Sequence, residues 1–537
     1  MKPKCDWSVR LGPSLGRERK FKVGFHPGFR EGRTCPGGRG SRRAENARAN
    51  DRSEIRLGGS LALPADPAKN RTSVHTRFPE HARLQSKIMR FFRYRFSHGV
   101  HPRENKELTV DLPIQRVPFV GRYVLPLDQH LGAPAQATVG VGKRVRRGQR
   151  IARPGGFIST ALHSPVTGKV MAIEPRRAPG GKLSPSIEIQ ADPFSTQRLI
   201  PNPPIDWVSL TLDEFIDHIQ SAGIVGLGGA AFPSHVKYSM PKGKKIEYLL
   251  VNGAECEPYL TNDHRLMLER VDALLQGIAI VKRKLAARRA VIGIERNKPD
   301  AISTLRGRIK HIHRIDVVPL PVKYPQGAER MLIKAVFGYE LPATKLPRDM
   351  GIAVNNVGSL VAIADYFDSG LPLIERIVTV SGSGVTYPAN LIVPIGTPLR
   401  EVLRFCGGLR ETTKSVIMGG PMMGQPIGSL DVPIVKGTSG ILAFTEKEAS
   451  TPHERPCIRC GRCLAACPHF LNPSHLGRLA KARRLNEMRA YRLTDCVECG
   501  SCSYACPSGI PLAQLIRTAK REIHQRKSRT GAAHAGS

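Results

Sequence analysis

The spacing of apolar residues changes several times along the chain, and each change marks a different kind of structure. Residues 105–195 alternate short apolar stretches with Gly and Pro turns, which is typical of short β-strands. Residues 205–370 alternate continuous apolar runs, such as Leu249–Val251, with helical spacing, such as Val271–Leu285. Residues 375–445 return to strands and turns. The pattern predicts a multidomain protein with a β N-terminal part, a central α/β domain and a second β module.

Eight of the twelve cysteines form two quartets near the C-terminal end of the sequence. Both quartets have the spacing C-x2-C-x2-C-x3-C-P, which is the ligand spacing of two [4Fe–4S] clusters. Since the fourth Cys of such a run binds the other cluster, we assign to cluster 1 Cys457, Cys460, Cys463 and Cys506. Cluster 2 is assigned Cys467, Cys496, Cys499 and Cys502. Disulfides and zinc are the alternatives, but neither needs a third Cys at the same step in both copies.

The residues around the cysteines predict helices. Asn472-Pro473-Ser474 can start a helix that continues through apolar positions to Leu485, and a second helix is expected after Pro511. We therefore expect a helical dicluster domain over residues 450–520, rather than the compact βαβ form of small ferredoxins. Residues 521–537 read as a polar tail.

The net charge of the chain raises the possibility of a nucleic-acid partner. Lys and Arg number 82 against 44 Asp and Glu, a net charge of +38. Residues 1–88 are basic and rich in Gly, Pro and Ser without a sustained period, so they cannot bury a core. We expect a disordered basic extension there, outside the functional protein, which would start at Met89. Nucleic acid is a common partner of basic proteins, but only 6% of the residues are aromatic and no basic recognition helix is evident.

Two motifs in the central domain indicate a ligand site. The first is a glycine loop at 223–233, followed by Lys237; its candidate ligand-binding residues are Gly226, Gly228, Gly229 and Ala230. Backbone N–H groups of such a loop can approach a phosphate closely, although a plain turn is the alternative. The second motif places Asn252, Glu255 and Glu257 after an apolar strand, where open α/β sheets bind ligands. A solvated acidic turn is the alternative there.

These motifs resemble the FMN and NADH site of the flavin subunit of respiratory complex I. The resemblance extends to Asp263, to the stretch Tyr324–Glu329 and to Asn355-Asn356-Val357. It implies that the loop Gly226–Ala230 and Lys237 line a non-covalently bound FMN. The residues it implies to contact FMN or NADH are Asn252, Glu255 and Glu257. Glu329 is implied to lie nearby, and the residues implied to fix the flavin are Asn355 and Asn356.

Over residues 89–520 the sequence resembles the family of C subunits of the Rnf (Rsx) ion-translocating complex. Gly99-Val100-His101-Pro102, Val225–Pro233, Asn252–Arg265 and Gly419–Gly424 match that family in order, as do both Cys quartets. The flavin subunit of complex I keeps a single cluster. The resemblance implies a barrel-sandwich-like domain at 89–200, an FMN- and NADH-binding α/β domain at 205–370, a β-grasp module of the SLBB type at 375–445 and the dicluster domain.

Such a protein would be a peripheral electron-input subunit on the cytoplasmic side of the bacterial inner membrane. The resemblance implies electron transfer between NADH, through FMN, and the two clusters, coupled through the other membrane subunits to Na⁺ or H⁺ translocation. Ferredoxin or flavodoxin would be the distal redox partner. The basic charge outside the extension suits an anionic membrane surface and acidic partners, and no nucleic-acid partner is expected. A soluble corrin (cobalamin) reductase and a non-enzymatic cluster-bearing adaptor stay open as alternatives.

Overall fold

The structure is a computed structural model, which describes residues 95–199, 203–241, 243–449 and 453–535. All of these belong to one compact unit that spans His81–Ser537. The predicted extension at 1–88 and the predicted start at Met89 lie outside the described residues. Within the described ranges, no helix combines the length and the apolar character needed to cross a membrane.

Eight strands lie in the N-terminal part, and all but the first form its two sheets. They are β1 (Ile114–Arg116), β2 (Arg122–Pro126), β3 (Gln136–Ala137), β4 (Arg144–Val145), β5 (Arg150–Arg153), β6 (Leu162–His163), β7 (Gly168–Arg177) and β8 (Leu183–Ala191). One sheet has the order β2-β8-β7-β4 and a second has the order β3-β5-β6. Tyr123, Ile151 and Ile187 from the two sheets share one apolar core. This is the expected barrel-sandwich-like arrangement.

The central part alternates helices with parallel strands. Its elements are α1 (Leu212–Ser221), α2 (Ser234–Tyr238), β9 (Tyr248–Gly253), α3 (Asn262–Glu269), α4 (Val271–Lys284), β10 (Arg289–Glu295), α5 (Pro299–Arg308), β11 (Ile315–Leu320), α6 (Glu329–Phe337), a 3₁₀ turn (Pro347–Met350), β12 (Ile352–Asn356) and α7 (Val357–Ser369). The strands are parallel in the order β11-β10-β9-β12. The chain leaves β9 towards β10 on one side and returns to β12 on the other, so the strand order reverses between β9 and β12. Open α/β sheets bind ligands at such a reversal.

The next part is a mixed sheet with one crossing helix. Its elements are β13 (Glu375–Ser381), β14 (Ala389–Pro394), α8 (Leu399–Phe405), β15 (Thr413–Met418), β16 (Gln425–Pro426) and β17 (Gly440–Thr445). The sheet has the order β1-β14-β13-β17-β15-β16, with β13 and β17 parallel, as expected of a β-grasp module. Strand β1 lies within the range predicted for the barrel, yet it pairs with β14.

The C-terminal part is helical, as expected. Its elements are α9 (Glu446–Ala449), α10 (Arg462–Ala466), α11 (Pro473–Lys481), α12 (Leu485–Ala490), a 3₁₀ turn (Leu493–Asp495), α13 (Ser501–Tyr504) and α14 (Leu512–Ala535). The Asn472 side chain accepts a hydrogen bond from the backbone N–H of His475 and so caps α11, whose first residue is Pro473. Helix α14 continues through the predicted polar tail as far as Ala535, because the Lys, Arg, Glu and Gln residues of that tail are good helix formers.

Candidate functional site

The glycine loop joins α1 to α2 and leaves its central amides open. It is closed at its base by hydrogen bonds from the N–H of Gly226 to the carbonyl of Phe232 (2.8 Å) and from the N–H of Ala231 to the carbonyl of Gly226 (3.2 Å). Gly228, Gly229 and Ala230 are exposed, and none of their N–H groups donates a hydrogen bond to another residue in the described part of the chain. Free N–H groups of this kind are able to bind an anionic phosphate.

Two basic side chains of the β-grasp module hold this loop in place. The Arg376 guanidinium donates to the carbonyls of Leu227 and Thr438 (2.9 Å for Thr438), and burial lowers its pKa to about 10. The Lys436 ammonium donates to the carbonyl of Gly223 (2.7 Å), where the loop begins, and burial lowers its pKa to about 7. The loop conformation therefore depends on another domain.

Lys237 lies directly beneath the loop. Its ammonium donates to the carbonyl of Val354 (3.0 Å) and lies 3.9 Å from the carboxylate of Glu329. A β-carbon built on Gly226 would lie 3.9 Å from the same ammonium. The structure thus brings together Lys237, Glu329 and the glycine loop, and their contact with FMN stays a prediction.

The three predicted asparagines meet at the reversal of strand order. Asn252 of β9 and Asn356 of β12 are register partners, and a β-carbon on Gly228 would lie 3.5 Å from the Asn356 side chain. The Asn252 amide donates to the carbonyl of Gly327 (2.9 Å). The Asn355 amide donates to the Tyr238 hydroxyl, while the buried Asn355 carbonyl oxygen has no partner within the described ranges. Together with the open N–H groups of the glycine loop, this unpaired acceptor fits a flavin mononucleotide.

A layer of buried charge supports the asparagines. Asn356 donates to the carboxylate of Asp263 (2.7 Å), and the Asp263 N–H donates to the carboxylate of Glu255 (2.8 Å). Burial and the neighbouring Glu255 raise the pKa of Asp263 to about 6, and the positive charge of Arg376 opposes this rise. The Lys106 ammonium, whose pKa is lowered by burial, donates to the carbonyls of Glu255 (3.1 Å) and Glu257 (2.9 Å).

Glu257 is placed differently from the other predicted residues. Its carboxylate accepts hydrogen bonds from the backbone N–H groups of Met422 (3.0 Å) and Met423 (3.1 Å) in the β-grasp module and from the Tyr324 hydroxyl (3.4 Å). Burial raises its pKa to about 7, and these three donors oppose the rise. All the hydrogen bonds of this side chain thus lie at the junction with the β-grasp module, and a contact with FMN or NADH stays a prediction.

The cysteines assigned to cluster 2 surround one cavity. Its lining includes the apolar side chains of Leu476 and Ile516 together with Cys467, Cys496, Cys499 and Cys502. Four thiols around an apolar cavity fit the ligand set of a [4Fe–4S] cluster. Burial raises the pKa of Cys502 to about 12, and the three other thiols of the set add to this rise.

Of the cysteines assigned to cluster 1, Cys463 is buried, and burial and its neighbour Cys506 raise its pKa. Cys457 and Cys460 are exposed. Among the described residues, no three His, Cys, Asp or Glu side chains are arranged around a common point for a single metal ion.

Sequence reasoning missed the basic residues that organise the site, Lys106, Arg376 and Lys436. Each is buried and is held by backbone carbonyls of a distant segment. The available signal was a basic residue within an otherwise apolar strand, as Arg376 before Ile377 and Val378 in β13, because a buried charge requires partners.

Four family models match consecutive parts of the chain. They are the RnfC barrel sandwich hybrid domain at residues 94–193, the Nuo51 FMN-binding domain at 219–365, the SLBB domain at 377–426 and the 4Fe-4S dicluster domain at 455–510. These matches confirm the predicted fold class and the predicted cofactors, FMN and two [4Fe–4S] clusters.

Two relatives are similar to the chain over most of their length. The C subunit of the proton-translocating ferredoxin:NAD(+) oxidoreductase complex of Clostridium ljungdahlii is 44% identical over 80% of this chain and 93% of its own. The C subunit of the Na(+)-translocating ferredoxin:NAD(+) oxidoreductase complex of Acetobacterium woodii is 40% identical over 80% of this chain and 97% of its own. A crystal structure of an air-oxidised NAD+-reducing [NiFe]-hydrogenase is similar with a TM-score of 0.41 and 19% identity, over 61% of this chain and 67% of that chain. The chain belongs to the family of C subunits of ion-translocating oxidoreductase complexes, the Rnf family.

Proposed function

We propose that the chain is the electron-input subunit of an ion-translocating complex, which transfers electrons between NADH, through FMN, and two [4Fe–4S] clusters. The observation that carries the proposal is a direct link between the two sites. Tyr324, from the loop before α6, donates its hydroxyl hydrogen bond to the carbonyl of Cys499 (2.7 Å) in the thiol-lined cavity. The same loop carries Gly327, whose carbonyl accepts a hydrogen bond from Asn252 of the flavin crevice (2.9 Å). One loop thus contacts both sites, which suits electron transfer between them. The alternative of a corrin reductase has no observation in its favour.

The chain's own residues would bind and orient the flavin. FMN, when bound, takes up an electron pair as a hydride and releases electrons singly. The free N–H groups of Gly228, Gly229 and Ala230 would hold the phosphate, with Lys237 beneath them adding positive charge. The amide side chains of Asn252, Asn355 and Asn356 would orient the ribityl chain and the ring. Glu255 and Glu329 would line the crevice. Glu257 would line its far side, where NADH would dock.

The thiols would hold the clusters. Each must lose its proton to bind iron, and burial opposes this until the metal is present. Backbone carbonyls at the cluster 2 cysteines are held from outside, because the Lys520 ammonium donates to the carbonyl of Cys496 (2.8 Å) and His98 Nδ1 donates to that of Cys467 (3.0 Å). These contacts would fix the loops before the cluster is inserted.

The partners of the chain follow from the same role. Electrons would pass to membrane subunits that couple transfer to Na⁺ or H⁺ movement, with ferredoxin or flavodoxin as the distal carrier. The chain would lie peripherally on the cytoplasmic side of the inner membrane, where its basic surface suits anionic head groups.

Anaerobic purification of the full chain, with FMN and iron measured per chain, tests the cofactor sites. Gly229→Val should weaken FMN binding at least tenfold, because residue 229 has φ +111° and its open N–H would be covered. Gly181→Val is the matched control, since Gly181 also has a positive φ (+83°) and open space but lies in the barrel. Bleaching of the flavin by NADH, in the wild-type chain, tests the activity.

Cys499→Ser tests the cluster assignment. It should lower the iron content from about eight to about four per chain, whereas Cys406→Ser, which alters a buried cysteine outside the quartets, should leave it unchanged. Undiminished FMN in Gly229→Val, or undiminished iron in Cys499→Ser, would contradict the assigned sites. A flavin that NADH does not bleach would contradict the activity.

A further inference from the structure

One buried hydroxyl lies beside the cysteines of cluster 2. It belongs to Ser501, the first residue of α13, which lines the same cavity as these cysteines. The Ser501 side-chain oxygen lies 3.4 Å from the Cys499 sulfur, in a contact between two buried side chains. The Ser501 hydroxyl has no other hydrogen-bond partner in the described part of the chain. This hydroxyl is therefore available to the cluster 2 site alone.

Binding of iron fixes the direction of this hydrogen bond. In the structure the Cys499 thiol donates its proton to the Ser501 hydroxyl oxygen. A cysteine that binds iron has lost that proton, and its sulfur can then only accept a hydrogen bond. The hydroxyl carries a proton of its own. Ser501 is therefore the donor of this contact once Cys499 is a ligand.

A serine beside cluster 1 uses its hydroxyl differently. Burial raises the pKa of Cys463, and the side chain and backbone of Ser474 oppose this rise. The Ser474 hydroxyl donates its proton to the side-chain oxygen of Asn472 (2.8 Å), the residue that caps α11. Since a hydroxyl has a single proton, Ser474 does not donate to Cys463 at the same time.

We propose that the Ser501 hydroxyl donates a hydrogen bond to the Cys499 sulfur of cluster 2 and raises the reduction potential of that cluster, whereas Ser474 has no such effect on cluster 1. The inference rests on the proposed function and its cluster assignment. An electron that enters a cluster adds negative charge to its sulfurs, so a donor at a sulfur stabilises the reduced state more than the oxidised state. No proton is transferred, because the hydroxyl keeps its proton in both states.

The place of Ser501 in the fold gives this effect a role in electron input. The carbonyl of Cys499 accepts the hydrogen bond of Tyr324, whose loop also contacts the flavin crevice. A β-carbon on Gly500, between Cys499 and Ser501, would lie only 2.6 Å from the carbonyl oxygen of Met422 in the β-grasp module. Cluster 2 thus lies against the flavin-binding part of the chain, and a higher potential there favours the uptake of single electrons from the flavin site.

The reduction potentials of the full chain with both clusters test this proposal. The chain is titrated anaerobically with dithionite and redox mediators, and the reduced clusters are followed by EPR. The one-electron wave that is lost in Cys499→Ser identifies cluster 2. In Ser501→Ala, the ratio of reduced to oxidised cluster 2 at a fixed potential should fall at least about threefold, a shift of at least about 28 mV to lower potential for a one-electron couple. The same ratio for cluster 1 should change less than about twofold.

Ser474→Ala is the matched control, because it also removes a hydroxyl beside a cluster cysteine, but one that donates to Asn472. It should change the ratio by less than about twofold for both clusters. Ser501→Thr keeps a hydroxyl at the same position, so its ratio for cluster 2 should stay within about twofold of the wild-type ratio. Iron per chain is measured for every variant. If Ser501→Ala loses iron, Ser501→Gly, which also lacks the hydroxyl, takes its place and should show the same fall.

A smaller fall than threefold for cluster 2, a comparable fall in Ser501→Thr, or a comparable fall for cluster 1 in Ser474→Ala would overturn the proposal. Because dithionite supplies the electrons, these outcomes do not depend on oxidation of NADH. Clusters that titrate as described, in a chain whose flavin is not bleached by NADH, would contradict the proposed function and leave the role of Ser501 standing.

Discussion

The α/β domain and the dicluster domain differ in what their buried polar groups contact. Backbone carbonyls of the α/β domain accept hydrogen bonds from three buried basic side chains of other parts of the chain, Lys106, Arg376 and Lys436. In the dicluster domain, the buried thiols of Cys467, Cys496, Cys499 and Cys502 surround a cavity. In the flavin site, the buried polar groups therefore have partners within the protein, except for those that face the ligand. The second site is completed by the cofactor, whose binding energy is therefore folding energy.

Removal of the clusters should give the largest effect. After anaerobic chelation of iron, amide hydrogens in α11 should exchange roughly 100-fold faster, because the core of the dicluster domain closes around the clusters. Strands β9 and β12 should change by less than about threefold. Hydrogen exchange followed by mass spectrometry measures both regions in one sample, and a comparable loss in both would contradict this contrast between the two domains.

Arg376→Met should destabilise the α/β domain by about 3–5 kcal/mol, because it removes a buried cation that faces Asp263 and Glu255 and leaves the buried carbonyls of Leu227 and Thr438 without their donor. Urea unfolding followed by tryptophan fluorescence, to which Trp207 contributes, measures the loss. Arg400→Met is the matched control: Arg400 is exposed and pairs with Asp431 at the surface, so the free energy of unfolding should change by about 0.5 kcal/mol or less. Similar losses in both variants would contradict a special role for the buried charge.

Lys436→Met should change how stability depends on pH. Burial lowers the pKa of Lys436 from 10.5 to about 7. Between these values the unfolded chain keeps a proton that the folded chain has released, so the stability contributed by Lys436 rises with pH. The free energy of unfolding of the wild type, relative to the variant, should rise by up to about 1.4 kcal/mol per pH unit from pH 7 to 10.

The exposed Lys447 provides the control for that measurement. Lys447→Met should leave the pH dependence of the wild type unchanged. A flat difference between wild type and Lys436→Met across this range would show that the lysine stays charged on its three oxygen acceptors, Thr160, Ala161 and Gly223.

Tyr324 is the side chain that contacts both regions. Tyr324→Phe should have the smallest effect. It removes the hydroxyl that bridges the carbonyl of Cys499 and the carboxylate of Glu257, at a cost of about 1 kcal/mol in the free energy of unfolding. Tyr387→Phe, at an exposed tyrosine, should cost about 0.5 kcal/mol or less. Urea midpoints of the holo-chain that do not differ between these two variants would contradict an energetic link through the hydroxyl.

Much of this architecture could be predicted from the sequence, because the strongest sequence signals are local. The spacing of the eight cysteines already groups Cys467 with Cys496, Cys499 and Cys502, which the structure brings around one cavity. The apolar run of β9 likewise indicated a strand whose end would hold Asn252. Spacing and apolar period are properties of short segments, so they can be read without knowing the fold.

Interactions between distant segments could not be predicted in this way. Lys436 reaches Gly223 across 213 residues, and Lys106 reaches Glu255 across 149. Strand β1 reads as part of the barrel but joins the sheet of β14, because edge pairing depends on where the segments lie in space. The sequence predicts a contact of Glu257 with FMN or NADH, which stays a prediction, but it gave no sign of the hydrogen bond from the backbone N–H of Met422, 165 residues later.

The opening segment has a consequence for how the chain is made. Val100 exchanges backbone hydrogen bonds with Tyr324, and His98 donates to the carbonyl of Cys467, 369 residues later. At ~5–20 residues per second, the ribosome needs roughly 20–70 s to reach Cys467 after His98 has been added. His98 therefore cannot form this contact until the ribosome has synthesised the whole first cysteine quartet, although His98 itself is made early.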